Sequence, residues 1–133
     1  MGASFCAVFE AEVPPYGKLG GDHMAILLHQ DRLERLAADV GLTPLGAFES
    51  YDPADAAEFL DEDEEDELAD LPPARWFAAS VGLAAVDAMV THLTAHPNVF
   101  TGQAEVLADL TGVAAELANA DRTGVRFRFA IVS

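Results

Sequence analysis

The sequence predicts a single α+β domain, with about four helices packed on a small two- or three-stranded sheet made by the two ends of the chain. Three observations lead there. An alternating apolar run opens the chain and a second one closes it. The stretch between them carries apolar residues at helical spacing and several helix stop signals. At 133 residues the chain fits one domain with an ordinary core, and no internal repeat or long linker divides it.

The opening strand runs from Ser4 to Val13, with Phe5, Ala7, Phe9, Ala11 and Val13 on one face. Cys6, Val8, Glu10 and Glu12 take the other face. Pro14-Pro15 ends it, since proline brings no ladder donor, and Tyr16 to Gly21 reads as a loop. Asp22 to Val40 reads as a helix with Ile26, Leu33, Leu36, Ala37 and Val40 on one stripe. A competing reading makes Met24 to Leu28 a strand, with Asp31 capping a shorter helix and Glu34 completing a capping box. Gly41 stops the helix in both cases. The loop after it has Leu45, Phe48 and Tyr51 as apolar anchors.

Asp52-Pro53 is a helix start, an N-cap followed by proline at the first helical position. That helix should fray near Asp61, where carboxylates meet the negative end of its dipole. Leu68 and Leu71 pin the far end before Pro72-Pro73. Trp76 and Phe77 form an aromatic anchor. Ser80 caps a helix running to Ala95, with Leu83, Val86, Val90 and Leu93 inward and His96-Pro97 as its end. The next helix spans Gly102 to Asp121 on a stripe of Val106, Leu107, Leu110, Val113, Ala114 and Leu117. Gly112 lies inside it and invites a break, since glycine costs about 1 kcal/mol relative to alanine there. Val125 to Val132 is the closing strand. Glu10 and Glu12 complement Arg126 and Arg128, which predicts that the terminal strands are neighbours.

Charge narrows the function classes. The net charge is −16, beyond the magnitude of about 2–8 that solubility asks of a small domain. Asp61, Glu62, Asp63, Glu64, Glu65, Asp66 and Glu67 form an unbroken carboxylate run. The wider segment from Asp52 to Asp70 holds 11 of the 23 acidic residues and no basic one. Such a field repels phosphates, so direct nucleic-acid binding is disfavoured and a basic protein partner is favoured. As a calcium site the run lacks both ligand spacing and a glycine for the loop. Cys6 is the only cysteine, which points to a reducing, cytoplasmic setting, and no apolar stretch is long enough to span a membrane.

Other constellations are weaker. His92 and His96 sit one helical turn apart and could share a metal ion, but HExxH is absent because position 93 is leucine. Capping of a helix end is the stronger reading of the pair. His23 and His29 read as core or junction residues. Cys6 has no basic neighbour in sequence to lower its pKa and reads as a packed side chain. No Gly-x-Ser-x-Gly, P-loop or dinucleotide fingerprint is present, so no cofactor is implied.

The order Gly41-Leu42-Thr43-Pro44-Leu45, an acidic stretch, Trp76-Phe77 heading a long helix, and Gly124-Val125-x-Phe127 opening a last strand resembles a group of short acidic bacterial proteins. The resemblance implies a bacterial, cytoplasmic, single-domain protein and carries over no activity and no site residues. The expectation is a non-enzymatic binding protein whose run at residues 61–67 meets a basic partner, as an inhibitor or immunity protein does. The alternative is a metal-binding protein or metal-dependent hydrolase built on His92, His96 and carboxylates. A third option is a small-ligand pocket near Trp76 and His29. Self-association stays open.

Overall fold

A computed structural model describes residues 3–51 and 74–132. The predicted helix start at Asp52-Pro53, the run from Asp61 to Glu67 and the anchors Leu68 and Leu71 lie outside the described residues. The opening strand, β1 (Ser4–Val13), has the predicted bounds. The closing strand, β3 (Phe127–Val132), starts two residues later than its pattern suggests. They pair antiparallel, Ser4 opposite Val132 and Phe9 opposite Phe127.

The predicted charge complement holds for one pair. Arg126 reaches Glu10 at 2.6 Å, with both side chains partly exposed, so the bond contributes no more than about 1 kcal/mol. Arg128 faces Val8 across the ladder instead. Its Nη1 donates to the Ser50 carbonyl at 2.6 Å, and its guanidinium lies 5.2 Å from the centre of the Trp76 ring.

Residues 16–21 are not all loop. Gly17–Leu19 forms a short strand, β2, on the other side of β1, so the sheet order is β2-β1-β3. Gly17 sits at φ 75°, a conformation open to glycine, and turns the chain back along β1. Three residues are too few for an alternating pattern to register, and the flanking glycines hide the strand. Both sheet edges are closed to further pairing. β2 is short and carries Lys18. Along β3, the Ser50 amide donates to the Phe129 carbonyl, and Phe77 and Phe127 exchange both backbone bonds.

The segment is helical from Met24 to Val40, two residues later than the expected start at Asp22; this settles the strand alternative, but the helix is broken. α1 (Met24–Leu28) and α2 (Gln30–Val40) meet at His29, whose φ of −113° and ψ of 18° interrupt the helix. No side-chain cap bond starts α2, so the Asp31–Glu34 capping box does not form. Glu34 instead accepts the Gly46 amide at 2.9 Å, tying α2 to a 3₁₀ turn at Leu45–Phe48. Burial raises the Glu34 pKa. Ile26, Leu33 and Ala37 are buried as predicted, but Val40 is exposed at the last turn. Leu45 and Phe48 are buried anchors, while Tyr51 is exposed and its hydroxyl accepts the Ile131 amide at 3.1 Å.

The two long helices, α3 (Ala79–Ala95) and α4 (Gln103–Thr123), pack against each other. Ala78 holds the N-cap position of α3, so Ser80 is an exposed first-turn residue and not the cap. The inward stripe of α3 is Gly82, Ala85, Val86, Met89 and Leu93, with Leu83 and Val90 only half-buried. The stripe is rotated because Gly82 is the hole that receives the Phe127 ring. A Cβ there would lie 2.1 Å from Phe127 Cζ. Around Phe127 gather Phe129 at 4.9 Å, Phe48 at 5.5 Å and Phe77 at 6.3 Å between ring centroids. Gly82→Ala is therefore expected to destabilise by about 1–3 kcal/mol through overpacking, despite the gain in helix propensity. Urea unfolding would measure it, and a neutral or stabilising result would refute this packing.

Gly112 does not break α4, which runs unbroken to Thr123 and ends at Gly124 with φ 70°.

Candidate functional site

The residue that draws the most chemistry together is His23. Its amide donates to the Phe5 carbonyl at 3.1 Å, extending the edge of β1 by one bridge. This backbone bond turns the imidazole toward α4. Nε2 lies 2.6 Å from Glu116 Oε2, and Nδ1 lies 3.5 Å from Asp109 Oδ1. Only the imidazolium offers a donor on both nitrogens, so two flanking carboxylates favour the charged form. Burial alone would lower the His23 pKa, but the hydrogen bonds and charges of Glu116 and Asp109 outweigh it and hold the pKa above its usual value.

Asp109 serves twice. Its Oδ2 accepts the Ala25 amide at 2.8 Å and the Ile26 amide at 3.3 Å. It thereby satisfies first-turn donors of α1 from another helix, a capping role that no residue near 23 fills. Glu116 is nearly fully buried, and its Oε1 has no hydrogen-bond partner among the described residues. Two glycines make the room. A Cβ on Gly20 would lie 1.8 Å from Glu116 Oε1, and one on Gly112 would lie 3.1 Å from His23 Cε1. The helix-interior glycine that sequence marks as a weak point is thus where the imidazole presses on α4. Neither acid is apparent from a stripe of apolar residues. The available signal is positional: Asp109, Gly112 and Glu116 fall at i, i+3 and i+7, on one face beside the core.

Cys6 is fully buried, near Ser4 and Asp22. Burial pushes its thiol pKa up, and the charges of Asp22 and Glu116 push the same way. It is therefore a poor nucleophile. The arrangement of His23, Asp109 and Glu116 ties β1 to α1 and α4 and favours the protonated imidazole.

His92 and His96 do come together at the end of α3. Their rings stack with centroids 4.4 Å apart, and His96 Nδ1 lies 3.0 Å from the His92 carbonyl. His96 thus serves the open C-terminal end of its own helix. Among the described residues no group of three His, Cys, Asp or Glu side chains is placed to hold a metal ion. His29 and Trp76 do not form a common pocket: His29 packs edge-on against Phe100, and Trp76 lies beneath Arg128.

Arginine placement bears on the surface charge. Arg126 is paired with Glu10, Arg128 is buried, and Arg75 stacks over Phe77 at 5.3 Å. Three of the chain's seven basic residues thus have neighbours within the fold. Among the described residues no helix is long and apolar enough to cross a membrane.

The chain matches no protein-family model, no curated protein and no solved structure.

Proposed function

We propose that the protein is a cytoplasmic, non-enzymatic binding protein whose acidic surface docks on a basic protein partner, in the manner of an inhibitor or immunity protein. The observation that carries this reading is the charge imbalance: a net −16, from 23 acidic residues against 7 basic ones. Acidic residues outnumber basic ones more than threefold, and seven of them are consecutive from Asp61 to Glu67. A negative field of this kind accelerates encounter with a positive partner and suppresses binding to nucleic acid. The dull chemistry of the buried cluster supports the same reading, since Cys6 is a raised-pKa thiol and His23 is enclosed by acids.

The experiment is affinity capture from bacterial lysate at graded salt. The tagged protein is expected to retain a basic protein at low ionic strength and to release it as salt rises. A variant with residues 61–67 replaced by Ser and Gly should lose that protein. Unchanged capture by the variant would remove the run from the interface. The alternative, zinc on His92 and His96, is checked by elemental analysis of untagged protein: stoichiometric zinc that disappears in His92→Ala would displace the binding-protein reading.

A further inference from the structure

One cleft among the described residues gathers two of the chain's seven basic residues. It is open, about 750 Å³ in volume, and lies between α2 and the loop that joins α3 to α4. Arg32 and Arg35 line one wall, one helical turn apart. Neither makes an ion pair with a described residue, although the chain holds 23 acidic residues against 7 basic ones. The Arg32 guanidinium lies 5.7 Å from the centre of the Phe100 ring, which orients it without using its donors. Two exposed apolar side chains also line the cleft, Leu28 at 73% and Val99 at 41% exposure.

The opposite wall is held in place. Gln103 is buried, accepts the Val99 amide at 2.7 Å and donates to the carbonyls of Leu93 and His96 at 2.9 and 3.0 Å. One side chain thus fastens the loop to the end of α3. Asn98 is the non-glycine residue with positive φ, at 67°, among the described residues. Gly102, at φ 89°, leaves room for His29, whose Nε2 would be 2.5 Å from a Cβ there. A wall fixed this way presents its groups with little ordering cost on binding.

We propose that this cleft binds a small organic monocarboxylate with an apolar body, its carboxylate held by Arg32 and Arg35 and its body laid against Leu28 and Val99. Two guanidinium forks suit a planar carboxylate. Asp31 lines the same cleft and Asp39 flanks Arg35. With the net −16, these carboxylates penalise a dianion such as phosphate and leave a monoanion as the better guest.

The test is an NMR titration of the ¹⁵N-labelled full chain with phenylacetate, phenylacetamide and inorganic phosphate. Phenylacetate should give saturable shifts confined to residues 28–35 and 98–102, with millimolar affinity. Phenylacetamide and phosphate should each bind at least about fivefold more weakly, the first lacking the charge and the second the apolar body. Arg32→Gln and Arg35→Gln should each weaken phenylacetate about fivefold or more, as expected for losing a charged hydrogen bond, with spectra unchanged elsewhere because both side chains are exposed. Equal binding of the amide, preference for phosphate, unaltered affinity in both variants, or no saturable shift up to about 100 mM would each overturn the proposal.

Discussion

Phe127→Ala is expected to cost about 3–5 kcal/mol, the range for deleting a fully buried aromatic ring. A domain of this size has about 5–15 kcal/mol in hand, so the variant should lose a large share of its stability and unfold at a markedly lower urea midpoint. The reason is position as well as area. Phe127 is fully buried where β3 meets α3, its backbone exchanges two bonds with Phe77, and its ring fills the hole over Gly82. No neighbour can collapse into the vacancy without moving a strand or a helix. Phe127→Leu should lose less, because most of the volume remains. Combining Phe127→Leu with Gly82→Ala should be better than the sum of the two single changes, since the added methyl enters the space that the ring vacates. Val81→Ala, on the exposed side of α3, should stay within about 0.5 kcal/mol of the parent. Urea denaturation of the set measures all of these. Strict additivity of the Gly82 and Phe127 changes would show that the two residues do not interlock.

Elements with a strong period were legible in the sequence. β1 alternates over ten residues and appears with its predicted bounds. α4 carries an apolar stripe over most of its 21 residues, and one glycine did not interrupt it. Elements defined by contacts elsewhere in the chain were not legible. β2 exists because Gly17 reverses the chain onto β1, and three residues carry no period. The break at His29 is invisible to a periodicity argument, because the apolar stripe continues through it. The face of α3 was misjudged because alanine and glycine look weakly apolar in sequence, whereas here they are where β3 packs closest.

The same distinction applies to the candidate sites. A local pair such as His92 and His96 can be read from spacing, and the rings do meet. His23 and Glu116 are 93 residues apart, so sequence gives each separately and cannot join them. Glycine positions carried the missing information. Gly20 and Gly112 approach the same buried pair, one at the Glu116 carboxylate and one at the His23 ring. Arg32 and Arg35 stand out by no motif in the sequence, and the fold turns both into one cleft.

Replacing Glu116 by alanine should destabilise the domain by about 3–5 kcal/mol, because it strands a buried imidazolium with one partner at longer range. Glu116→Gln keeps the size and one hydrogen bond, so its loss should be smaller, and it should lower the His23 pKa. The parent protein's own pH dependence tests the charge. The folded-state pKa of His23 is raised above 6.5. The folded protein therefore binds more protons than the unfolded chain as pH rises past that value, and stability falls with pH. The stabilisation is fully present below 6.5 and is lost as pH climbs through the raised folded value. The charged groups on the ring are Glu116 and Asp109 from α4, and Cys6, which feels the Glu116 charge, is the nearby thiol. Cys6 has a thiol pKa raised from 9.0, so its ionisation lies above the window. Urea midpoints measured from about pH 5.5 to about pH 8.5 should decline for the parent and flatten for His23→Gln. A parent profile that is flat, or one that His23→Gln reproduces with the same slope, would mean that the proton between β1 and α4 does not contribute to holding them together.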